Sequence, residues 1–318
     1  MMKRILTTAL VAVALVTSIR AMAQEPPTAP AQTITIDGRQ QYLSCLGEGS
    51  PTIVVDAGMG EWSLHWLGIQ ASLAATTRTC LYDRAGYGLS AMSDQPRTAE
   101  QIVGELHALL AAARIEPPYL LMGHSLGGAH MRFYAQRYPD QVAGLALIDS
   151  TPPDHALPEA LQQLMAESYA QFPQLAALAA QGVMQPAQMP VPPYLPAELA
   201  AQYQQQIATE GFFATLYGEY QALAETMAQV NAVRDLGDLP LVVVAARRAD
   251  DSVPAEMLPI MEAYQAEVWL PAQAALAQLS TRSRFIVAEH SRHHIQYDEP
   301  DVIVEAVGAL FQEITAGR

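Results

Sequence analysis

An α/β fold built on a mostly parallel sheet is predicted by three observations. Short apolar runs rich in β-branched residues, such as Thr52-Ile-Val-Val55, Leu145-Ala-Leu-Ile148 and Leu239 to Ala245, have the composition of strands buried on both faces. Amphipathic helical stretches separate these runs, so strand and helix alternate. Residues with catalytic chemistry recur just past the ends of the runs, at the edge where open α/β sheets bind ligands.

The chain opens on Lys3-Arg4, an apolar stretch from Ile5 to Ile19, and a small-x-small signal at Ala21-Met22-Ala23. That order predicts a signal peptide over 1–23, since the apolar run is short for a membrane span of about 20 residues. A Pro/Ala linker over 24–32 follows. The expected mature protein is exported, periplasmic or secreted, and has no membrane segment after signal removal. Losing Lys3, Arg4 and Arg20 takes the net charge from -15 to -18. A surface that acidic repels nucleic acid and anionic lipid, so neither is expected as a partner. With 51% hydrophobic and 15% charged residues in 318, the rest of the chain has the composition of a packed globular protein.

The elements follow in order. Thr33 to Ile36 alternates, Asp37-Gly38 is a hairpin turn signal, and Gln41 to Leu46 is a second strand. Gly47-Glu-Gly-Ser-Pro51 breaks the pattern before the buried strand at 52–55. The glycines of Asp56-Ala-Gly-Met-Gly60 allow backbone amides to face a ligand, or simply form a tight turn. Arg78-Thr-Cys-Leu-Tyr82 is the next strand, ending in Asp83-Arg84, read as a salt-bridged structural turn. Thr98 with Gln101 three residues on marks a helix start, and Ile102, Val103, Leu106, Leu109 and Leu110 give that helix one apolar stripe. After the strand at 145–148, the rhythm fails from about 151 to 237, a block rich in Pro, Gln and Ala with helical pieces and no strand. It is expected to be a helical insertion. Strands return at 239–245 and 284–288, with a long helical stretch between them and a last helix from Pro300. The core is therefore expected over 33–150 and 238–318. Cys45 and Cys80 each sit in a strand-like run. An oxidising compartment favours a disulfide, with two buried thiols as the alternative.

The chemistry centres on Tyr119-Leu-Leu-Met-Gly-His-Ser-Leu-Gly-Gly128. An apolar run meets Gly-x-Ser-x-Gly and a helical pattern follows, so a serine hydroxyl stands at the apex of a strand–turn–helix. A serine needs a base within hydrogen-bond reach to become a nucleophile. Histidines follow the last strand, in Glu289-His-Ser-Arg-His-His294, and aspartates follow two earlier ones, at Asp149 and Asp250. The chain order Ser, Asp, His is that of hydrolases on this kind of sheet.

With these pieces in place the sequence resembles the α/β-hydrolase fold family over essentially all of its mature length. The matching residues are Gly47-Glu-Gly-Ser-Pro51, Ala57-Gly-Met-Gly60, Asp83-Arg-Ala-Gly-Tyr-Gly-Leu-Ser90, Gly123-His-Ser-Leu-Gly-Gly128, and His293 with Pro300 seven residues later. The resemblance implies a mostly parallel eight-stranded sheet flanked by helices, with the 151–237 block as a helical cap. It implies that Ser125 is the nucleophile and that the backbone N–H groups of Met59 and Leu126 form the oxyanion hole. His124 would be a support. The family pattern selects His293 as base. Arg292 stands where the family usually has glycine, which keeps His294, and behind it His290, as further candidates. For the acid, Asp250 occupies the usual place, with Asp251 adjacent and Asp149 as the alternative used by some members of the fold. The family's sheet order puts the strands of Cys45 and Cys80 side by side, which favours a disulfide.

The expected activity is hydrolysis of a carboxylic ester or similar small acyl substrate, with no cofactor. A metal site made of His290, His293 and His294 lacks carboxylate support. A peptidase or amidase, or a lactonase, is the alternative within the fold, and a non-catalytic ligand-binding member is the second. An aminopeptidase would need cap acids to hold an amine, for which Glu159, Glu167, Glu198, Glu210, Glu219 and Glu225 are available.

Overall fold

The computed structural model describes residues 31–251 and 253–317. The segments read as signal peptide and most of the linker lie outside these. Strand β1 (Ala31–Ile36) begins inside the stretch read as linker, and is followed by β2 (Arg39–Leu46), β3 (Thr52–Asp56), helix α1 (Leu67–Leu73), β4 (Thr79–Tyr82), α2 (Ala99–Ala112), β5 (Tyr119–His124), α3 (Leu126–Arg137) and β6 (Val142–Ile148). Four α-helices come next, α4 (Glu159–Tyr169), α5 (Phe172–Ala180), α6 (Ala200–Ile207) and α7 (Glu210–Asn231). The chain closes with β7 (Leu241–Ala246), α8 (Leu258–Tyr264), α9 (Leu270–Leu276), β8 (Ser283–Ala288), α10 (Ile295–Asp298) and α11 (Pro300–Ala316).

The eight strands form one sheet in the order β1-β2-β4-β3-β5-β6-β7-β8. β2 pairs antiparallel with both β1 and β4, and the remaining pairs are parallel. The chain has an α/β-hydrolase architecture, as expected. Cys45 lies directly opposite Cys80 across β2 and β4, and the two form a disulfide. Closing a loop of 35 residues this way restricts the unfolded chain by an amount worth on the order of 3–4 kcal/mol.

The central strands are apolar throughout because both faces are covered. Successive side chains point to opposite faces, so Ile53, Val55, Leu120, Met122, Val242 and Val244 pack on one side with Trp66, Ile69, Val307 and Leu310 of the α1 region and α11. Val54, Leu121, Leu145, Leu147 and Val243 pack on the other with Val103, Leu106, Met131 and Tyr134 of α2 and α3.

The block between β6 and β7 holds no strand among the described residues. One buried ion network fastens it to the core. Arg84 forks onto Glu219 of α7 at 2.7 and 3.1 Å, reaches Asp56 at 2.8 Å, and donates to the carbonyls of Ala57 and Gly58. The Tyr87 hydroxyl adds a bond to Glu219 at 2.9 Å. The expected Asp83–Arg84 turn is thereby corrected. Asp83 instead accepts from the N–H groups of Ser63 and Leu89, and burial pushes its carboxyl up to about 6.

Candidate active site

The parallel sheet brings the ends of β3, β5, β6, β7 and β8 to one edge, and the site is built from the turns that leave them. Ser125 follows β5 with φ 51° and ψ -123°, outside the ordinary regions for a residue bearing a side chain. Strain of this kind costs on the order of 1–3 kcal/mol, which the surroundings must supply. The Ser125 N–H donates to the Ile148 carbonyl, and the Ser125 carbonyl accepts from Gly128 and Thr151. The turn also needs its glycines. A Cβ on Gly123 would sit 2.5 Å from the Gly127 carbonyl oxygen, and one on Gly127 would sit 2.4 Å from the carbonyl oxygens of Asp56 and Ala57.

Leu126 is the first residue of α3, where a backbone N–H has no acceptor within the helix. In the facing loop the two amides flanking Met59 are committed. Gly58 donates to Glu61 at 2.9 Å, and Gly60 donates to the Tyr87 hydroxyl at 3.2 Å. The Met59 side chain packs beside Leu126 and Leu223, and its sulfur accepts from the Tyr169 hydroxyl.

The base and acid candidates meet at one short contact. Nδ1 of His293 lies 2.6 Å from Oδ2 of Asp149. A carboxylate only accepts, so the Nδ1 proton faces it and a neutral ring keeps its lone pair on Nε2. The other Asp149 oxygen accepts from the Ala246 N–H at 2.9 Å and the Trp269 indole at 3.0 Å. Trp269 reaches it from a π-helical turn, Gln265–Trp269, that joins α8 to α9, a device common beside functional sites. Burial pushes the His293 ring toward neutrality, but the Asp149 hydrogen bond and charge, with help from Asp250 and Glu61, outweigh this and raise its pKa.

Of the two expected acid candidates, Asp250 and Asp149, it is Asp149 whose carboxylate meets the His293 ring. Asp149 directly follows β6 in a left-handed turn, φ 38°, with its carboxylate buried beneath the ring. Asp250 lies four residues past the end of β7, beside Tyr194, Arg292 and His294, and its charge adds to the influences that raise the His293 pKa. Asp251 pairs with Arg292 at 2.8 Å. Arg292, the departure from the family's glycine, also grips both oxygens of Asp298, so it stiffens the loop that carries His293.

Neither of the other two candidate bases is the ring that meets Asp149. His294 stacks on Tyr194 with ring centroids 4.0 Å apart and places Nε2 3.3 Å from Glu61. His290 donates its main-chain N–H to Glu299. His124 is buried between Glu61, 2.9 Å from Nδ1, and the His293 carbonyl, 2.9 Å from Nε2. Glu61 has no counterpart among the expected site residues, although an acid directly after Gly58-Met59-Gly60 was its available signal.

The helical block touches this edge at Trp62. Trp62, next to Glu61, donates to Gln206 of α6 and stacks on Tyr203. A cavity of about 510 Å³ opens among Met165, Tyr220, Leu223 and Met227, with His155 on its rim. Leu223 also packs with the cluster that holds Met59 and Leu126, and His155 meets Trp269 edge-on.

Residues 51–187 match the family model of the α/β hydrolase fold, a span that covers β3 to β6 and enters the helical block. A thermophilic esterase from Thermogutta terrifontis superposes with a TM-score of 0.60 at 19% identity, covering 90% of this chain and 98% of that one. The chain has the α/β-hydrolase fold. The haloalkane dehalogenase DatA from Agrobacterium tumefaciens C58 shares the same fold, with a TM-score of 0.66 at 18% identity over 91% of this chain and 98% of that one. Among sequence relatives, an uncharacterized protein of Bacillus subtilis (strain 168), YqjL, is 27% identical over 279 residues, which is 87% of this chain and 90% of the relative. An esterase and a dehalogenase on one scaffold show why the chemistry of this α/β hydrolase has to be read from its site.

Proposed function

We propose that this α/β hydrolase is a serine hydrolase that cleaves a carboxylic ester or similar small acyl substrate. The observation that carries the reading is the 2.6 Å His293–Asp149 contact at the sheet edge where the strained Ser125 stands. His293 Nε2 takes the Ser125 proton as Oγ attacks the substrate carbonyl. The N–H groups of Met59 and Leu126 hold the oxyanion. His293 then protonates the leaving alkoxide, giving an acyl-enzyme on Ser125, and water repeats the cycle to release the acid. Asp149 holds the ring in the tautomer with its lone pair on Nε2 and stabilises the imidazolium that forms. Dehalogenation needs a carboxylate nucleophile, and Ser125 stands in that place.

An ester is favoured over an N-terminal amine by the state of the acids in the helical block. Glu219 is the buried one of the six, and it is spent on Arg84 and Tyr87. Glu159, Glu167, Glu198, Glu210 and Glu225 are exposed. The cavity beside Leu223 suits an apolar acyl group. Cys45–Cys80 suits an oxidising compartment and so the exported address read from residues 1–23. Among the described residues no helix is long and apolar enough to cross a membrane.

The test is labelling of folded protein with a fluorophosphonate probe, alongside hydrolysis of a p-nitrophenyl ester chain-length series. Labelling that Ser125→Ala abolishes, with ester turnover, is the expected result. Absence of both from folded protein overturns the proposal.

A further inference from the structure

Four elements of the site converge on Glu61. Its Oε2 accepts the Gly58 N–H at 2.9 Å and lies 2.9 Å from His124 Nδ1. Its Oε1 accepts from Gln296 Nε2 at 3.1 Å and lies 3.3 Å from His294 Nε2. One buried carboxylate thus touches the oxyanion loop, the strand that delivers Ser125, the loop that delivers His293, and α10. Facing so many donors, and despite its burial, Glu61 is held well below the usual carboxylate range, with His124 the main opposing influence.

His124 is the relay. A carbonyl oxygen only accepts, so the 2.9 Å contact to the His293 carbonyl requires a proton on Nε2. The ionised Glu61 oxygen also only accepts, so the contact at Nδ1 requires a second. Burial lowers the pKa of this ring on balance, with the Glu61 charge and hydrogen bond opposing it, so the case for a second proton rests on the two contacts themselves. A neutral ring has one N–H and would leave two lone pairs facing each other across one of the two contacts. The bonding pattern therefore favours the doubly protonated ring.

We propose that Glu61 and His124 form a standing carboxylate–imidazolium pair that positions the general base through its main chain. His124 holds the His293 carbonyl, and Glu61 holds the Gly58 amide, so the base and the oxyanion loop keep a fixed separation around Ser125. Both are positioning residues, and the proposal rests on the serine-hydrolase reading above. A base displaced by about 1 Å can lose on the order of 100-fold in rate, so a clamp of this kind acts on kcat. Glu61→Gln keeps the shape of the side chain, but it turns an amide NH₂ toward the Gly58 N–H and lets a neutral His124 accept at Nδ1.

The experiment combines ring ¹⁵N–¹H NMR with kinetics on the full chain. In the wild type, His124 is expected to show both ring nitrogens protonated at pH 7, and in Glu61→Gln only Nε2. A wild-type His124 with a single ring proton at pH 7 overturns the proposal, and this readout needs no variant to fold. In kinetics, Glu61→Gln is expected to lose 10- to 100-fold in kcat with KM within twofold, and Glu61→Asp to recover part of the loss. Unchanged kcat in folded Glu61→Gln also overturns the proposal. Should fluorophosphonate fail to label wild-type Ser125, the hydrolase reading falls, while the NMR signature still decides the pair.

Discussion

Two histidine–carboxylate pairs stand at the sheet edge that carries Ser125, with similar geometry and different surroundings. His293 faces Asp149 at 2.6 Å, and His124 faces Glu61 at 2.9 Å. They differ in what the second ring nitrogen meets. The His124 side chain is 1% exposed and its Nε2 is held by a carbonyl, whereas the His293 side chain is 26% exposed and its carboxylate bond engages Nδ1 alone. A carboxylate partner therefore does not make a base. A base needs a nitrogen left over to take a proton, and a position that substrate can reach.

The sharpest test of this contrast is replacement of each ring. His293→Gln is expected to lower kcat by about 10⁴-fold or more, and His124→Gln by far less, measured on a p-nitrophenyl ester. Comparable losses from the two would erase the distinction. Next in size is Asp149→Asn, expected to cost about 10³- to 10⁴-fold in kcat by favouring the wrong tautomer.

That variant also has a pH signature. Asp149 raises the His293 pKa, and catalysis needs the neutral ring, so activity climbs as pH rises through that pKa. In Asp149→Asn the rising limb of kcat/KM moves to lower pH. An unmoved limb in the residual activity would place the titration elsewhere. The same raised pKa stabilises the folded protein. The stabilisation is fully present below the unfolded value of about 6.5 and is lost as pH rises through the folded one. Asp149→Asn should accordingly lower Tm more at pH 5.5 than at pH 8.5.

A smaller effect is expected from Arg292→Gly, which restores the family's usual residue but removes the links to Asp251 and Asp298. A fewfold loss in kcat without change in KM is expected, because the ring keeps its own acid. The smallest belongs to Asp250→Asn, because the carboxylate that meets the His293 ring is that of Asp149. Less than about threefold in kcat is expected, and a loss rivalling that of Asp149→Asn would reverse the assignment of the acid.

Much of this was readable along the chain because it depends on local chemistry. The apolar runs at 52–55, 119–123, 145–148 and 239–245 are strands because only a doubly covered sheet accommodates them. Gly123, Gly127 and Gly128 flank Ser125 because the turn leaves no room for a Cβ. His293 could be singled out among three histidines only by the family resemblance, through its spacing to Pro300, the first residue of α11. Each of these signals spans a few residues.

Which carboxylate meets His293, and that Glu61 meets His124, were not readable in this way. Asp149 and Asp250 both follow strands of the right direction, and nothing in their neighbours says which carboxylate lies beneath a ring 144 residues or 43 residues further on. β6 and β7 are adjacent, so the decision comes from the left-handed turn at Asp149, and from the Ala246 amide and the Trp269 indole that hold its second oxygen. Glu61 was hidden for the same reason, since its partners lie on β5 and α10, far away in sequence. The sequence alone determined the α/β scaffold and the strained turn with Ser125 at its apex, because strand burial and turn sterics act between near neighbours. Only the tertiary structure decided which carboxylate meets which ring, because a hydrogen bond of under 3 Å depends on where separate loops come together at the sheet edge.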